Sequence, residues 1–463
     1  MTLIKSISGI RGTIGGSVGE NLTPIDAVKF AAAYGVWIKQ QRNKENYRVV
    51  VGRDARISGE MIQNLVMQTL VGMGITVVDL GLSTTPTVEM AVPMEHADGG
   101  IILTASHNPK QWNALKLLNS KGEFLDAENG KIILDIVEKE NIDFADVDSL
   151  GKIVKNQAFI DLHIDEIMDM KLVNKKAIEN ANFKIVVDGV NSTGGIAVPL
   201  LLDRLGVHTV KLYCDPTGHF PHNPEPLKEH LGDLSKAVKK EHADMGIVVD
   251  PDVDRLAFMD EMGEMFGEEY TLVACADYVL GKTPGNTVSN LSSTRALRDV
   301  TMKHGGEYFA AAVGEVNVVT MMKEVNAVIG GEGNGGIIFP ELHYGRDALV
   351  GIALFLSLLA ERKMRVSELK ATYPQYFMSK QKIELQPSMN VDAILNGVAG
   401  KYSNEDVSTV DGVKIDFDDS WVHLRKSNTE PIIRIYTEAK SQDSATLLAD
   451  RFVDELNSIA ITA

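Results

Sequence analysis

Gly99-Gly100-Ile101-Ile102-Leu103-Thr104-Ala105-Ser106-His107-Asn108-Pro109-Lys110 decides how the chain is read. Its first five residues form an apolar run, the pattern of a buried strand. The rest is a polar loop stopped by a proline. A serine hydroxyl at a strand end, followed by an imidazole and soon by the Lys116 ammonium, is a candidate acceptor for a phosphoryl or acyl group. Alone, the stretch reads equally as a capped strand-to-helix turn, because Ser and Asn also serve the backbone at such places.

Outward from it, strand-like and helix-like runs alternate. Pro24 to Gln41 carries Ala27, Phe30, Tyr34, Trp37 and Ile38 at helical spacing. Tyr47 to Gly52 reads as a strand, Ser58 to Gly72 as a helix capped by Ser58, and Ile75 to Leu80 as a strand. Such alternation predicts α/β domains with largely parallel sheets. Glu128 to Glu140 and Phe159 to Met170 are expected helices, and Phe183 to Val187 and Met245 to Val249 expected strands. Ala348 to Ala360 reads as a buried helix too short to cross a bilayer. From Gln381 onward come strand-like runs and a last helix, Ser441 to Ser458. The expected domains are 1–150, 151–250, 251–370 and 371–463.

At 463 residues the chain is long enough for three or four cores. With 46 basic against 63 acidic residues, its net charge of −17 argues against a nucleic-acid or anionic-membrane partner. An anionic ligand would need cations gathered locally. Two cysteines, Cys214 and Cys275, give no disulfide framework and fit a reducing compartment. Met1 to Gly16 lacks the apolar core of a signal peptide, so a cytoplasmic location is expected.

Asp250-Pro251-Asp252-Val253-Asp254-Arg255 puts three carboxylates at alternate positions after an apolar strand. Alternate residues of an extended loop project to one side, where three oxygens can converge on Mg²⁺. An EF-hand loop would need glycine where Arg255 stands and a helix in front. The competing reading is a solvated acidic turn, which three mutually repelling acids at a buried strand end disfavour. Gly330 to Gly336 is glycine-dense and holds Glu332 and Asn334, which could pair with sugar hydroxyls; a flexible turn fits as well. Arg425-Lys426-Ser427-Asn428-Thr429-Glu430-Pro431, with Arg434 beyond it, fits a phosphate cradle or a polar inter-strand loop. Arg11, between Gly9 and Gly12, could meet a phosphate or lie on a surface turn. The Gly-rich Asp188 to Gly195 is assigned to structure, and Arg53-Asp54 to a structural ion pair. His208, His219 and His222 lack metal-ligand spacing.

In this order, Gly9-Ile10-Arg11-Gly12, Thr104-Ala105-Ser106-His107-Asn108-Pro109, Asp250-x-Asp252-x-Asp254-Arg255, Gly331-Glu332-Gly333-Asn334 and Arg425-x-Ser427-Asn428-Thr429-Glu430-Pro431 resemble the α-D-phosphohexomutase superfamily. The resemblance implies four domains around a central cleft: three similar α/β domains with mixed sheets and a smaller α+β C-terminal domain. It implies that Ser106 is carried as phosphoserine, with Mg²⁺ held by Ser106, Asp250, Asp252 and Asp254. His107, Lys116, Arg11 and Arg255 would complement that charge. Glu332 and Asn334 would hold the sugar. Arg425, Ser427, Asn428, Thr429 and Arg434 would hold the non-reacting phosphate, with a hexose 1,6-bisphosphate as intermediate and activator.

Asn334 stands where many members carry Ser, and Glu315 lies in a loop where some carry His or an acid. Length and the Ser-Asn-Thr-Glu-Pro form most resemble the phosphoglucosamine and phosphomannose branches, the former first. Phosphomannose or phosphoglucose mutation, or a metal-dependent sugar phosphatase, are the alternatives. The expected partner is a small hexose phosphate, and the protein a monomer or homodimer.

Overall fold

A computed structural model describes residues 2–6, 9–384, 390–426 and 432–462. The apolar runs become strands of four sheets. The first holds seven strands, in the order Ile4–Ser6, Gly9–Thr13, Trp112–Leu118, Gly99–Leu103, Tyr47–Arg53, Ile75–Leu82 and Ile153–Lys155. The last four run parallel and the first three are joined antiparallel. The second is ordered Leu256–Met259, Met245–Val249, Lys184–Asp188, His208–Leu212, and the third Tyr308–Ala311, Asn286–Asn290, Ala327–Glu332, Gly336–Ile338. Each keeps three parallel strands and one antiparallel neighbour. The sheets are largely parallel, and these antiparallel partners make them the mixed sheets that the resemblance implies.

The fourth sheet is wholly antiparallel, in the order Phe377–Glu384, Ile432–Ala439, Trp421–Lys426, Val413–Asp416, Asp406–Ser408. Helices Val391–Lys401 and Gln442–Thr462 cover it, sealing a core that includes Val398, Ile433 and Phe452. The architecture is therefore three α/β domains and a smaller α+β C-terminal domain.

Two expected boundaries move. Strand Ile153–Lys155 pairs with Ile75–Leu82 of the first sheet, and Leu256–Met259 with Met245–Val249 of the second. Cuts at 150/151 and 250/251 would sever those ladders. Pairing between sequence-distant strands overrides the local change in composition that suggested the cuts.

The second and third domains share one continuous core around helix Ala348–Arg362, buried along nearly its whole length, with Phe355 stacked on Phe258 (centroids 3.8 Å apart). Among the described residues no helix is long and apolar enough to cross a membrane. In the three α/β domains the candidate loop occupies the same topological place. It joins a strand of the sheet to its antiparallel neighbour: 104–111, 250–255 and 333–335.

Candidate active site

Strand Gly99–Leu103 is buried throughout and delivers the serine loop. Ser106 sits at φ +48°, a region non-glycine residues seldom enter, so the loop must be held there. Its N–H donates to Thr104 Oγ1 (2.9 Å), and Thr104 Oγ1 donates to Asp54 Oδ2 (2.7 Å). Arg56, buried against Asp54 (3.0 Å), donates to the carbonyls of Ser106, Asn108, Pro109 and Trp112. One guanidinium thus clamps the loop from behind. Ser106 Oγ donates to Asp250 Oδ2 at 2.6 Å, across the domain boundary, with His107 Nδ1 3.5 Å away. Burial, with Arg255 and Arg11 nearby, holds the His107 imidazole well below its usual pKa.

The aspartate loop is strained too. Val253, buried and β-branched, lies at φ +65°. Asp250 Oδ1 accepts the N–H groups of Asp254 (3.2 Å) and Arg255 (3.1 Å). Ser192 and Thr193 hydroxyls both donate to the Pro251 carbonyl (2.7 and 2.8 Å), so the Asp188 to Gly195 turn braces this loop. The three aspartates are fully buried, one ligand oxygen of each within 4.8 Å of the others. Lys116 Nζ lies 2.7 Å from Asp252 Oδ2 and 3.4 Å from Asp254 Oδ2. Thr85 Oγ1 donates to Asp252 Oδ2 (2.6 Å).

Asp252 Oδ1 and Asp254 Oδ1 are buried with no hydrogen-bond partner. Orphaned carboxylate oxygens facing a third acid are what a hard divalent cation satisfies, so the donor set fits such an ion. Burial and the other two carboxylates raise Asp250 well above the usual range. For Asp252 burial acts in the same sense, but Lys116 outweighs it and the carboxyl lies below that range.

Beside these loops opens a cavity of about 750 Å³, lined by residues of all four domains. Arg11, Arg255, Lys380, Arg425, Lys426 and Arg434 face it, against Glu225, Glu269 and Glu332. In a chain of net charge −17, six cations against three acids mark an anion site. Arg425 and Arg434 stand directly opposite each other on adjacent strands, with Lys382 opposite Arg434 on its other side. Like charges so placed repel, and a bound anion relieves them. Arg425 Nε lies 2.8 Å from Asp411 Oδ2. Glu332 accepts Asn290 Nδ2 (2.9 Å), the Gly314 N–H (3.1 Å) and Arg346 Nη1 (3.0 Å). Asn334 lines the same cavity, its Oδ1 accepting the Gly336 N–H (3.2 Å). Ser427, Asn428 and Thr429 lie outside the described residues.

Family models match this chain four times in succession. Phosphoglucomutase/phosphomannomutase alpha/beta/alpha domains I, II and III cover residues 3–143, 161–263 and 267–376, and the C-terminal domain covers 380–455. The chain belongs to the phosphoglucomutase/phosphomannomutase family. A phosphoglucomutase/phosphomannomutase of Thermococcus kodakarensis is 36% identical, over 94% of this chain and 95% of its own. A probable phosphoglucosamine mutase of Methanopyrus kandleri is 34% identical over 96% of each chain. The crystal structure of a phosphoglucomutase/phosphomannomutase family protein from Burkholderia thailandensis superposes with a TM-score of 0.84, at 27% identity and 98% coverage of both chains.

In this phosphoglucomutase/phosphomannomutase family member, the sequence motifs give no sign of two residues that hold the site, Arg346 and Arg56. Arg346 bonds Asp254 Oδ2 (2.7 Å), Glu315 Oε2 (2.8 Å) and Glu332 Oε2 (3.0 Å), tying three loops to one guanidinium. A signal existed: a cation just before an apolar helix opposes the helix dipole and needs anions of its own. Arg56, not Arg53, is the partner of Asp54; Arg53 Nε turns to Gln63 Oε1 (2.9 Å). Glu315 is buried, and burial pushes its carboxyl up to about 7 despite Arg346.

Proposed function

We propose that the chain moves a phosphoryl group between the 6- and 1-positions of a hexose phosphate, with glucosamine phosphate the preferred substrate. One observation carries this reading. The cavity beside Ser106 also reaches the Arg425–Arg434 pair, so it offers two anion sites to one ligand. A phosphatase needs only the first.

Ser106, phosphorylated on Oγ, gives up its phosphoryl group as the Oγ–P bond breaks and a bond forms to the free sugar hydroxyl. A bound hexose 1,6-bisphosphate results. The sugar turns over and its other phosphate returns to Ser106. His107, neutral because of its burial and the arginines beside it, is the nearest uncharged base to Oγ and takes the hydroxyl proton. Arg11 and Arg255 face the incoming sugar phosphate, and Lys116 holds Asp252 and Asp254 in place. Arg425 and Arg434, with Ser427, Asn428 and Thr429, hold the phosphate that does not react. Glu332 and Asn334 take sugar hydroxyls. A divalent ion, Mg²⁺ by its demand for hard oxygen ligands, would be held by Asp250, Asp252, Asp254 and phosphorylated Ser106, and neutralises charge on the transferring group when bound.

Two features support glucosamine over mannose or glucose. One relative is a probable phosphoglucosamine mutase, and Glu225 gives the cavity a carboxylate that an amino group can meet. A coupled assay with glucosamine-, mannose- and glucose-6-phosphate, Mg²⁺ and a catalytic amount of the bisphosphate tests both points. Isomer formation, fastest with glucosamine phosphate, is expected. Release of inorganic phosphate without isomer would refute the mutase, and faster turnover of another sugar the preference.

A further inference from the structure

Behind the phosphate cavity lies a second cluster of ligand-type side chains, on three elements distant in sequence. His163 comes from helix Phe159–Asp169, and His343 and Asp347 from the approach to helix Ala348–Arg362. Thr87 and Glu89 come from helix Thr85–Met94 of the first domain. Asp347 Oδ2 lies 2.9 Å from His163 Nε2 and 3.4 Å from His343 Nε2. One ligand atom from each of these three residues lies within 4.8 Å of the others.

The outer groups are as ordered as the inner ones. His163 Nδ1 meets Thr87 Oγ1 at 2.9 Å, and His343 Nδ1 faces Glu89 Oε2 at 3.4 Å. Asp347 Oδ1 is turned away to cap the helix, accepting the N–H groups of Leu349 and Val350. Each imidazole therefore directs Nε2 inward and rests Nδ1 on an oxygen. Metal-binding histidines are held in this way, the second nitrogen donating to a carboxylate or hydroxyl that fixes the tautomer.

The buried carboxylate beside the cluster supports an ion. Glu89 is 2% exposed, and neither of its carboxylate oxygens has a hydrogen-bond partner. An orphaned buried carboxylate set against an outward-facing imidazole nitrogen fits the outer shell of a dication at the centre. Both Nε2 atoms become ligands and both Nδ1 atoms carry their protons outward. The +2 charge is then balanced by Asp347 and Glu89.

We propose that His163, His343 and Asp347 bind a transition-metal dication, with Thr87 and Glu89 as its outer shell. Two imidazoles and one carboxylate suit Zn²⁺ and its neighbours in the first row, whereas the all-oxygen aspartate loop suits Mg²⁺. Ligands about 2.0–2.1 Å from Zn²⁺ stand roughly 3.3 Å apart in a tetrahedron, close to the separations found here. A neighbouring cavity of about 220 Å³, lined by Glu89, His343, Lys121, Glu123, Glu166 and Tyr344, gives the ion an entry path and room for water as the remaining ligand. The ion would staple helix Phe159–Asp169 of the second domain to the third, and its outer shell would reach the first. It would also fix Asp347, the residue beside Arg346, and so steady the guanidinium that holds Asp254, Glu315 and Glu332.

The test uses the full chain, stripped with a chelator and dialysed in excess Mg²⁺ with Zn²⁺ or Co²⁺. Elemental analysis should find one equivalent of Zn²⁺ retained against Mg²⁺. Co²⁺ should give the intense visible bands of a low-coordinate nitrogen–oxygen site, and Zn²⁺ should raise Tm. His343→Ala should lose all three responses, while Asp252→Asn keeps them. Should His343→Ala fail to fold, Glu89→Gln is the second variant, expected to weaken Zn²⁺ binding roughly 10- to 100-fold through the outer shell. Failure of the wild type to retain Zn²⁺ would overturn the proposal. So would retention unchanged by both variants, or retention lost only in Asp252→Asn.

Discussion

Arg56→Met tests how the serine loop is held. The side chain is buried, 3.0 Å from Asp54, and donates to the carbonyls of Ser106, Asn108, Pro109 and Trp112. Removing one partner of a buried ion pair costs about 3–5 kcal/mol, because the other charge stays behind without compensation. Burial already holds the Asp54 carboxyl above its usual range, although Arg56 and Thr104 pull it down. Without Arg56 it rises further. A carboxyl with a raised pKa in the folded state contributes stability below its unfolded value and loses it as pH rises through the folded one. The deficit of Arg56→Met should therefore be smallest in acid and grow toward neutrality.

Arg56→Met/Asp54→Asn leaves no buried charge and should recover part of the loss, giving a coupling of about 1–3 kcal/mol. It should not recover activity. The carbonyls of the serine loop still lack their donor, and a displacement of the order of an ångström lowers turnover about 100-fold. Denaturant titration of the four proteins at two pH values, with kcat for each, makes the measurement. Additive stabilities, or a kcat left unchanged by the loss of Arg56, would refute this picture of the loop.

Arg425→Gln removes one charge-assisted contact to the non-reacting phosphate, worth about 1.5–3 kcal/mol. KM should rise roughly 10- to 100-fold while phosphorylation of Ser106 is unaltered; an unchanged KM would mean the arginine pair faces something else. Asp252→Asn should weaken Mg²⁺ binding measured by titration calorimetry and abolish turnover, and undiminished Mg²⁺ affinity would remove that aspartate from the ligand set. Glu315, pushed by burial from 4.5 to about 7, contributes stability in acid that fades as pH rises through 7. Glu315→Gln should flatten the stability profile across that interval, and an unaltered slope would show that another group titrates there.

The serine and aspartate loops were legible because their chemistry-bearing side chains lie within six or seven consecutive residues after an apolar strand. Helix Pro24–Gln41 was legible for the same local reason, its periodicity and its proline. What depends on distant partners was not. The domain cuts at 150 and 250 fail because Ile153–Lys155 and Leu256–Met259 complete sheets begun earlier. Ser58 stands at a helix start, yet its hydroxyl accepts from Asn113 Nδ2 (2.9 Å) and forms no cap. Arg346 reaches Asp254 across 92 positions and His163 meets Asp347 across 184, separations that no local pattern announces. The histidines singled out in the sequence went elsewhere; His222, for example, pairs with Asp188 at 2.9 Å.

The most direct measurement is the mass of the peptide carrying Ser106 after incubation with hexose 1,6-bisphosphate and Mg²⁺, before and after a chase with hexose monophosphate. One added phosphate on Ser106, discharged by the chase and absent from Ser106→Ala, is the expected result. An enzyme that turns over its substrate at full rate with Ser106 unmodified throughout would contradict the central claim.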